Sequence, residues 1–209
     1  MIITIFGATG MVGKQLVKQA IHNGHTVKAF GRNVYTSGFE ENKNLHLIQG
    51  ALFDEGQVYK AIKGSDAVLS ALGGSFDGTD KSRSLGIKNV ISQMQKTGVK
   101  RLIAVGGKGV LDSGEGEMIM EDPTFPRQYI PVSIEHFKAY EFIKSSDLDW
   151  TFVGSPDILD EEATGLLYTA ADQVPSPNND KINSGDLALF MLDELIKNKY
   201  LKLRVGISN

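Results

Sequence analysis

The sequence predicts an α/β fold: a doubly wound, mainly parallel sheet with helices on both faces. Three observations carry that expectation. Short apolar runs alternate with segments of helical period along the chain. The runs are continuous rather than polar/apolar, which is how strands covered on both faces read. The first run, Ile2–Phe6, breaks directly onto glycines and is followed by an amphipathic helical pattern. Alternation of this kind implies right-handed crossovers between parallel strands.

Strands are expected at Ile2–Phe6, Thr26–Phe30, Leu45–Gln49, Ala67–Ala71, Arg101–Val105 and Trp150–Val153, with a last one at Tyr200–Val205. Val12, Leu16, Ala20 and Ile21 form the apolar face of the first helix, which stops at Asn23-Gly24. Ile87, Val90, Ile91 and Met94 follow the helical spacing i, i+3, i+4, i+7, and Gly98 ends that helix. Ser133 is read as the cap of a helix running to about Lys144. Asn183 or Ser184 is read as the cap of the last helix, with Asp186 in its first turn and Leu187, Phe190, Met191 and Leu195 buried. No repeat, low-complexity tract or linker divides the chain, so a single domain is expected over residues 1–209. The least regular stretches are 106–131 and 154–181. In an open α/β sheet the loops after the strand C-termini line the ligand crevice, so these two are the expected substrate walls.

Composition narrows the function classes. Net charge is −3 and the pI about 5.8, so there is no basic field for nucleic acid. No run is long and apolar enough for a membrane helix. A strand starting at Ile2 is expected to leave no room for a secretory leader, and the cytoplasm is the expected location. The absence of cysteine removes disulfides, thiolate metal sites and a cysteine nucleophile. A Gly-x-Ser-x-Gly elbow and a phosphate-binding Gly-x4-Gly-Lys-Ser/Thr loop are both missing. His22, His25, His46 and His136 lack zinc-ligand spacing, so no metal is expected. The acidic stretch Asp112, Glu115, Glu117, Glu121 and Asp122 does not follow EF-hand order and reads as a solvated loop.

Gly7-Ala8-Thr9-Gly10-Met11-Val12-Gly13 carries the most chemistry. The first glycine permits a sharp turn, the second lets backbone approach a pyrophosphate, and the third lets the helix pack close to the strand. Phosphate then sits on the free N–H groups of the helix N-terminus. The motif has its strand before it and its helix after it, which is the context a dinucleotide site requires. At the end of the second strand, no acidic residue lies between Thr26 and Ser37 to hold a ribose 2′-OH, whereas Arg32 offers planar donors for a 2′-phosphate. NADPH is therefore expected over NADH. Small residues at Gly50-Ala51-Leu52, Ala71-Leu72-Gly73-Gly74 and Val105-Gly106-Gly107-Lys108-Gly109 let backbone approach adenine, ribose–pyrophosphate and the nicotinamide ribose.

These residues carry a family resemblance. The Gly7–Gly13 run, Gly31-Arg32, Asp66-Ala67-Val68 leading to Ala71-Leu72-Gly73, Asn89-Val90-Ile91 leading to Gly98-Val99-Lys100-Arg101-Leu102, and Ser146–Val153 followed by Ser155-Pro156 resemble the atypical, Rossmann-like short-chain dehydrogenase/reductases. His136, Thr164-Gly165 and Asp186–Leu192 extend the likeness over nearly the whole chain. It is greatest to the NAD(P)H-binding, NmrA-like group that includes flavin reductases of the biliverdin reductase B type and bacterial NADH-flavin reductases. The resemblance implies that Gly7, Thr9, Gly10, Met11, Val12 and Gly13 hold the pyrophosphate and Arg32 the 2′-phosphate. It places Leu52 near adenine, Ala71, Leu72 and Gly73 along the ribose, and Ser155, Pro156 and Ile158 beside the nicotinamide.

Departures from that pattern bear on the chemistry. Ala51 stands where relatives often have Asp, Gly107 where flavin reductase has Ser, and Ile134 where dehydrogenases have the Tyr of Tyr-x-x-x-Lys. The Lys falls on Lys138. Without a Ser–Tyr–Lys relay, ketone reduction lacks its proton donor, while a flavin or quinone can take hydride and draw its proton from solvent. His136 is the remaining titratable candidate, and Lys138, with Lys108, is a candidate for attracting an anionic acceptor or flavin phosphate. Phe125, Tyr129 and Tyr168 are candidates for stacking on a flat ring. The leading reading is an NADPH-dependent reductase of FMN, FAD, riboflavin, a quinone or a similar small-molecule acceptor, acting as a monomer or weak homodimer. The other is a non-catalytic NAD(P)-binding redox sensor.

Overall fold

The apolar runs become parallel strands β1 (Ile2–Phe6), β2 (Thr26–Gly31), β3 (Leu45–Gln49), β4 (Ala67–Ser70), β5 (Arg101–Gly107) and β6 (Asp149–Ser155) in the computed structural model, which describes residues 1–114 and 116–209. Shorter strands follow: β7 (Asp157–Leu159), β8 (Tyr168–Ala171), β9 (Lys181–Asn183) and β10 (Leu203–Ser208). The main sheet has the order β3-β2-β1-β4-β5-β6-β10-β8, parallel throughout except for β8 against β10. This is a Rossmann-like, doubly wound sheet. The order reverses between β1 and β4, which puts the crevice of such a fold directly above Gly7 and Ala71.

Helices α1 (Met11–His22) and α5 (Ser184–Lys197) cover one face, packing Leu16, Val17, Leu187 and Met191 on Ile3, Ile5 and Val205. Helices α2 (Glu55–Ile62), α3 (Ile87–Thr97) and α4 (Ile130–Lys144) cover the other, where Ile62, Met94 and Ile143 meet Phe6, Leu102 and Phe152. Helix α1 ends at Asn23-Gly24, with Gly24 at φ 77°, and α3 ends at Gly98, also at φ 77°. Both glycines take the left-handed conformation that closes a helix without a Cβ penalty.

Several expectations need correction. Helix α4 begins at Ile130, so Ser133 lies inside it and is buried rather than capping it. Pro131 falls in its first turn, where a missing N–H costs nothing, so the helix runs through the proline. Helix α2 is an additional element, capped by Asp54, whose side chain accepts from the Gln57 N–H. The last strand begins at Leu203, because Tyr200 is drawn into a turn where its hydroxyl pairs with Thr169 Oγ1 at 2.9 Å. The stretch 154–181 is not wholly irregular: β7 pairs with β9, and β8 extends the main sheet. In the acidic stretch, Asp112 accepts from Arg204 at 2.7 Å, Glu115 lies outside the described residues, and no metal-holding cluster exists among the described residues. No helix among them is long and apolar enough to cross a membrane.

Candidate functional site

The first glycine turn is built by close backbone approach. Gly7 has φ 74°, and a Cβ there would run into the Ala71 carbonyl oxygen and lie 2.7 Å from its carbon. A Cβ on Gly13 would meet the Gly7 carbonyl and lie 2.7 Å from the Ala8 Cα. Gly10 caps α1 in an extended conformation; no side chain caps the helix and no acidic residue sits in its first turn. The first N–H groups of α1, which have no partners within the helix, are therefore presented to a ligand.

Above this turn runs a cleft of about 1140 Å³ along the C-terminal edge of the sheet. It exceeds the roughly 300–1,000 Å³ of ordinary small-molecule sites. Thr9, Gly10, Met11 and Val12 line its centre with Gly7; Ala71, Leu72 and Gly73 line the facing strand end. At the β2–β3 end it is walled by Arg32 and Leu52, and at the β5–β6 end by Gly106, Ser155, Pro156 and Ile158. Gly13 does not line the cleft; it serves the helix–strand approach beneath it.

Charge divides the cleft. The acidic lining residues are Asp122, Asp157 and Asp180, all on segments beyond β5. None lies at the β2–β3 end, where Arg32 is exposed and makes no salt bridge among the described residues. A long, glycine-floored cleft over an uncapped helix start, with an unpaired guanidinium at one end, fits a dinucleotide.

The other end is shaped by α4 and the segment before α3. Val132, Ser133 and His136 of α4 line it, with Phe125 and Tyr129 from the preceding loop. His136 is half-buried, and a Cβ on Gly107 would lie 2.9 Å from His136 Cδ2. Burial, and then the nearby Arg83 charge, push the His136 pKa down to about 3, only partly opposed by Glu135. The imidazole is thus neutral at physiological pH. Behind the ring lies a cavity of about 10 Å³ lined by Ser70, Arg83 and His136 among apolar neighbours, room for about one water.

Lys138 is a second correction. It does not line the cleft; its Nζ donates to Glu135 Oε1 at 3.0 Å. Glu135 is buried and also accepts from Lys81 at 2.9 Å and from the Ser84 hydroxyl. Burial raises this carboxyl, but the Ser84, Lys81 and Lys138 donors outweigh it and hold the pKa at about 2. The Lys138–Glu135 pair lies within α4, while Lys81 and Ser84 fasten Glu135, and with it α4, to the segment before α3. Lys108 lines the cleft and pairs with Asp180 at 2.6 Å. Ile134 and Tyr168 are exposed outside the lining.

Residues 73–83 form a third wall: beyond Gly73 and Gly74, already expected beside the ribose, it contributes Phe76, Ser82 and Arg83, which sequence reasoning missed. Arg83 sits in a π-helical turn, Ser82–Gly86, leading into α3. Such turns inside helices recur at functional sites. The only advance signal was Gly73-Gly74 at a strand end; a lone arginine among Ser, Asp and Lys reads as a solvated loop.

The whole-chain comparisons agree with this geometry. A family model described as NAD(P)H-binding matches residues 7–198. YwnB of Bacillus subtilis (strain 168) is 28% identical over 200 residues, covering 92% of this chain and 91% of the relative. A crystal structure from Burkholderia pseudomallei, provisionally named an exported protein, has TM-score 0.86 and 30% identity and covers 100% of both chains. One from Streptococcus pneumoniae TIGR4, provisionally named an NADH-flavin reductase, has TM-score 0.85 and 25% identity and covers 100% of this chain and 99% of that one. The glycine turn, the cleft along the sheet edge and the family match lead to one conclusion: this chain belongs to the NAD(P)H-binding family, within the NmrA-like group of atypical short-chain dehydrogenase/reductases, and its ligand is a nicotinamide dinucleotide.

Proposed function

We propose that this chain is an NADPH-preferring reductase that passes hydride to a flat acceptor such as a flavin or a quinone. The observation that carries the reading is the asymmetry of the cleft. One end holds an unpaired Arg32 and no acid; the other presents Phe125, Tyr129, Val132 and Pro156 without a Ser–Tyr–Lys relay. The likeness to the Streptococcus pneumoniae protein, provisionally named an NADH-flavin reductase, supports the same acceptor class.

In this reading the first-turn N–H groups of α1 hold the pyrophosphate, with Gly7, Thr9, Gly10, Met11 and Val12 around it and Gly13 bringing the helix close. Arg32 holds the 2′-phosphate as a fixed fork of donors. Leu52 packs near adenine, Ala71, Leu72 and Gly73 run beside the ribose, and Gly106, Ser155, Pro156 and Ile158 flank the nicotinamide. Ser155 is itself fixed, its hydroxyl donating to the Gly106 carbonyl at 2.8 Å. The nicotinamide supplies the hydride. The aromatic and proline walls exclude water and hold the acceptor face-on, which is where rate is gained in a transfer that needs little acid catalysis. His136, neutral in this setting, shapes the floor and is not required as an acid.

Stopped-flow absorbance at the reduced-nicotinamide band tests the proposal, with NADPH and FMN, FAD, riboflavin or a benzoquinone. Oxidation well above the protein-free rate for at least one acceptor is expected. No such oxidation for any of them would leave a cofactor-binding redox sensor as the better reading.

A further inference from the structure

The reductase reading leaves one group in the acceptor half without a task. The cationic side chains lining the cleft are Arg32, Arg83 and Lys108. Arg32 stands at the β2–β3 end, and Lys108 is neutralised by Asp180 at 2.6 Å. Arg83 remains. It is only 8% exposed, yet it forms no salt bridge among the described residues. Its Nη1 and Nη2 donate to the backbone carbonyls of Ser75 and Gly74, each at 2.9 Å, and its Nε is buried with no partner. The Phe76 ring lies 5.7 Å from the guanidinium carbon. Asp80 and Glu135 act on it only from beyond salt-bridge distance, and Glu135 is already engaged by Ser84, Lys81 and Lys138.

Burying an arginine without a carboxylate in contact is costly, and chains that keep such a group usually use it. Here neutral carbonyls and an aromatic face hold the guanidinium in place without cancelling its charge. A fixed charge beside a water-excluding wall is the arrangement that stabilises charge developing in a transition state.

We propose that Arg83 is the electrostatic catalyst of the acceptor half, stabilising the anion that forms as hydride arrives. The inference rests on the reductase reading. Hydride transfer breaks the C4–H bond of the reduced nicotinamide and carries its electron pair and hydrogen to the acceptor ring. The nicotinamide is oxidised, the acceptor is reduced by two electrons, and negative charge spreads over the ring's carbonyl oxygens or nitrogen until one solvent proton neutralises it. The Ser–Tyr–Lys relay of a dehydrogenase would supply that proton at the moment of transfer; the cation replaces this need by stabilising the anion until the proton arrives. The acceptor class that gains most is therefore one whose reduced form is a delocalised anion, a flavin or quinone rather than a simple ketone.

The experiment compares wild type with Arg83→Met and Arg83→Lys in single-turnover transfer from saturating NADPH to benzoquinones of graded reduction potential. Thermal melts and NADPH affinity are recorded in parallel, and Arg83→Gln serves as the uncharged variant if Arg83→Met does not fold. R83M is expected to slow transfer about 100-fold, R83K to recover part of that loss, and the dependence of log rate on acceptor potential to steepen in R83M. A readout without turnover accompanies it: with oxidised NADP bound, the N3 proton of bound riboflavin, followed by absorbance, should ionise at lower pH in wild type than in R83M. Transfer by R83M within about threefold of wild type, or equal losses in R83M and R83K with an unchanged slope and N3 ionisation, would show a loop tie instead and overturn the proposal. A wild type inert toward every acceptor would overturn the reductase reading along with it; an active wild type with an indifferent R83M overturns this inference alone.

Discussion

Replacing Gly13 with alanine separates the two kinds of glycine in the Gly7–Gly13 turn. The added Cβ would collide with the Gly7 carbonyl oxygen and lie 2.7 Å from the Ala8 Cα and 2.8 Å from its carbonyl carbon. All are backbone atoms, so no rotamer change relieves the contact, and the cost belongs at the upper end of overpacking penalties, about 3 kcal/mol. Alanine returns at most about 1 kcal/mol of helix propensity. The net loss of about 2 kcal/mol lowers Tm by roughly 4–8 °C for a chain of this size. Gly10→Ala is the paired control: its Cβ would lie 3.4 Å from the Gly7 carbonyl in an extended conformation open to any residue. G10A should melt within about 0.5 kcal/mol of wild type. Because Gly10 lines the cleft, G10A should nonetheless weaken NADPH binding about tenfold, or 1.4 kcal/mol. Thermal melts by circular dichroism and fluorescence titration with NADPH read both effects. A G13A protein melting within about 1 °C of wild type would refute the close-approach argument.

Other outcomes follow from the same geometry. Arg32→Ala should cut NADPH affinity about 10- to 100-fold, the worth of a charged hydrogen bond, and leave NADH nearly unchanged; calorimetric titration with both, finding a constant ratio, would disprove the 2′-phosphate contact. His136 has a folded pKa near 3 against an unfolded 6.5, so the unfolded chain binds the extra proton between those values. Stability should therefore fall as pH drops through that window, and His136→Asn should flatten this part of a Tm–pH curve while the Glu135 loss between about pH 4.5 and 2 persists. Lys138→Met should leave the NADPH oxidation rate within about twofold of wild type and cost at most about 1 kcal/mol, since its ammonium is half exposed and reaches Glu135 rather than the cleft; a large fall in kcat would restore it to the reaction.

The parts of the fold that sequence exposed are those in which one physical demand dominates. A strand such as β1 or β5 is covered by helices on both faces, so it is apolar apart from hydrogen-bonded Thr4 and Arg101 and is visible as a run. The glycines at 7 and 13 are forced by backbone contact and were visible for the same reason. Strand β8 has no such signature: Tyr-Thr-Ala-Ala is short and lies at the sheet edge, where one side needs no partner. Helix α2 has only eight residues, too few to establish a helical period against its strand-forming Val and Tyr. The acceptor side was least legible because its walls are assembled from loops, and Arg83 acquires its meaning only when Gly74, Ser75 and Phe76 fold around it. Lys138 misled for the converse reason: its register in the helix was right, but its direction was set by Glu135.

The contact between Gly107 and His136 limits how the acceptor half can change. A serine at 107 would place a hydroxyl where the flavin reductases this chain resembles have one, and its Cβ would press to 2.9 Å on the edge of the imidazole. The two positions are therefore coupled. The neighbour is the edge of a side chain rather than backbone, so a residue at 107 is admitted by a turn of the imidazole, and that turn reshapes the floor of the acceptor half. The same substitution made after His136 is shortened has no ring to displace. A double-mutant cycle at 107 and 136 should therefore be non-additive in acceptor turnover.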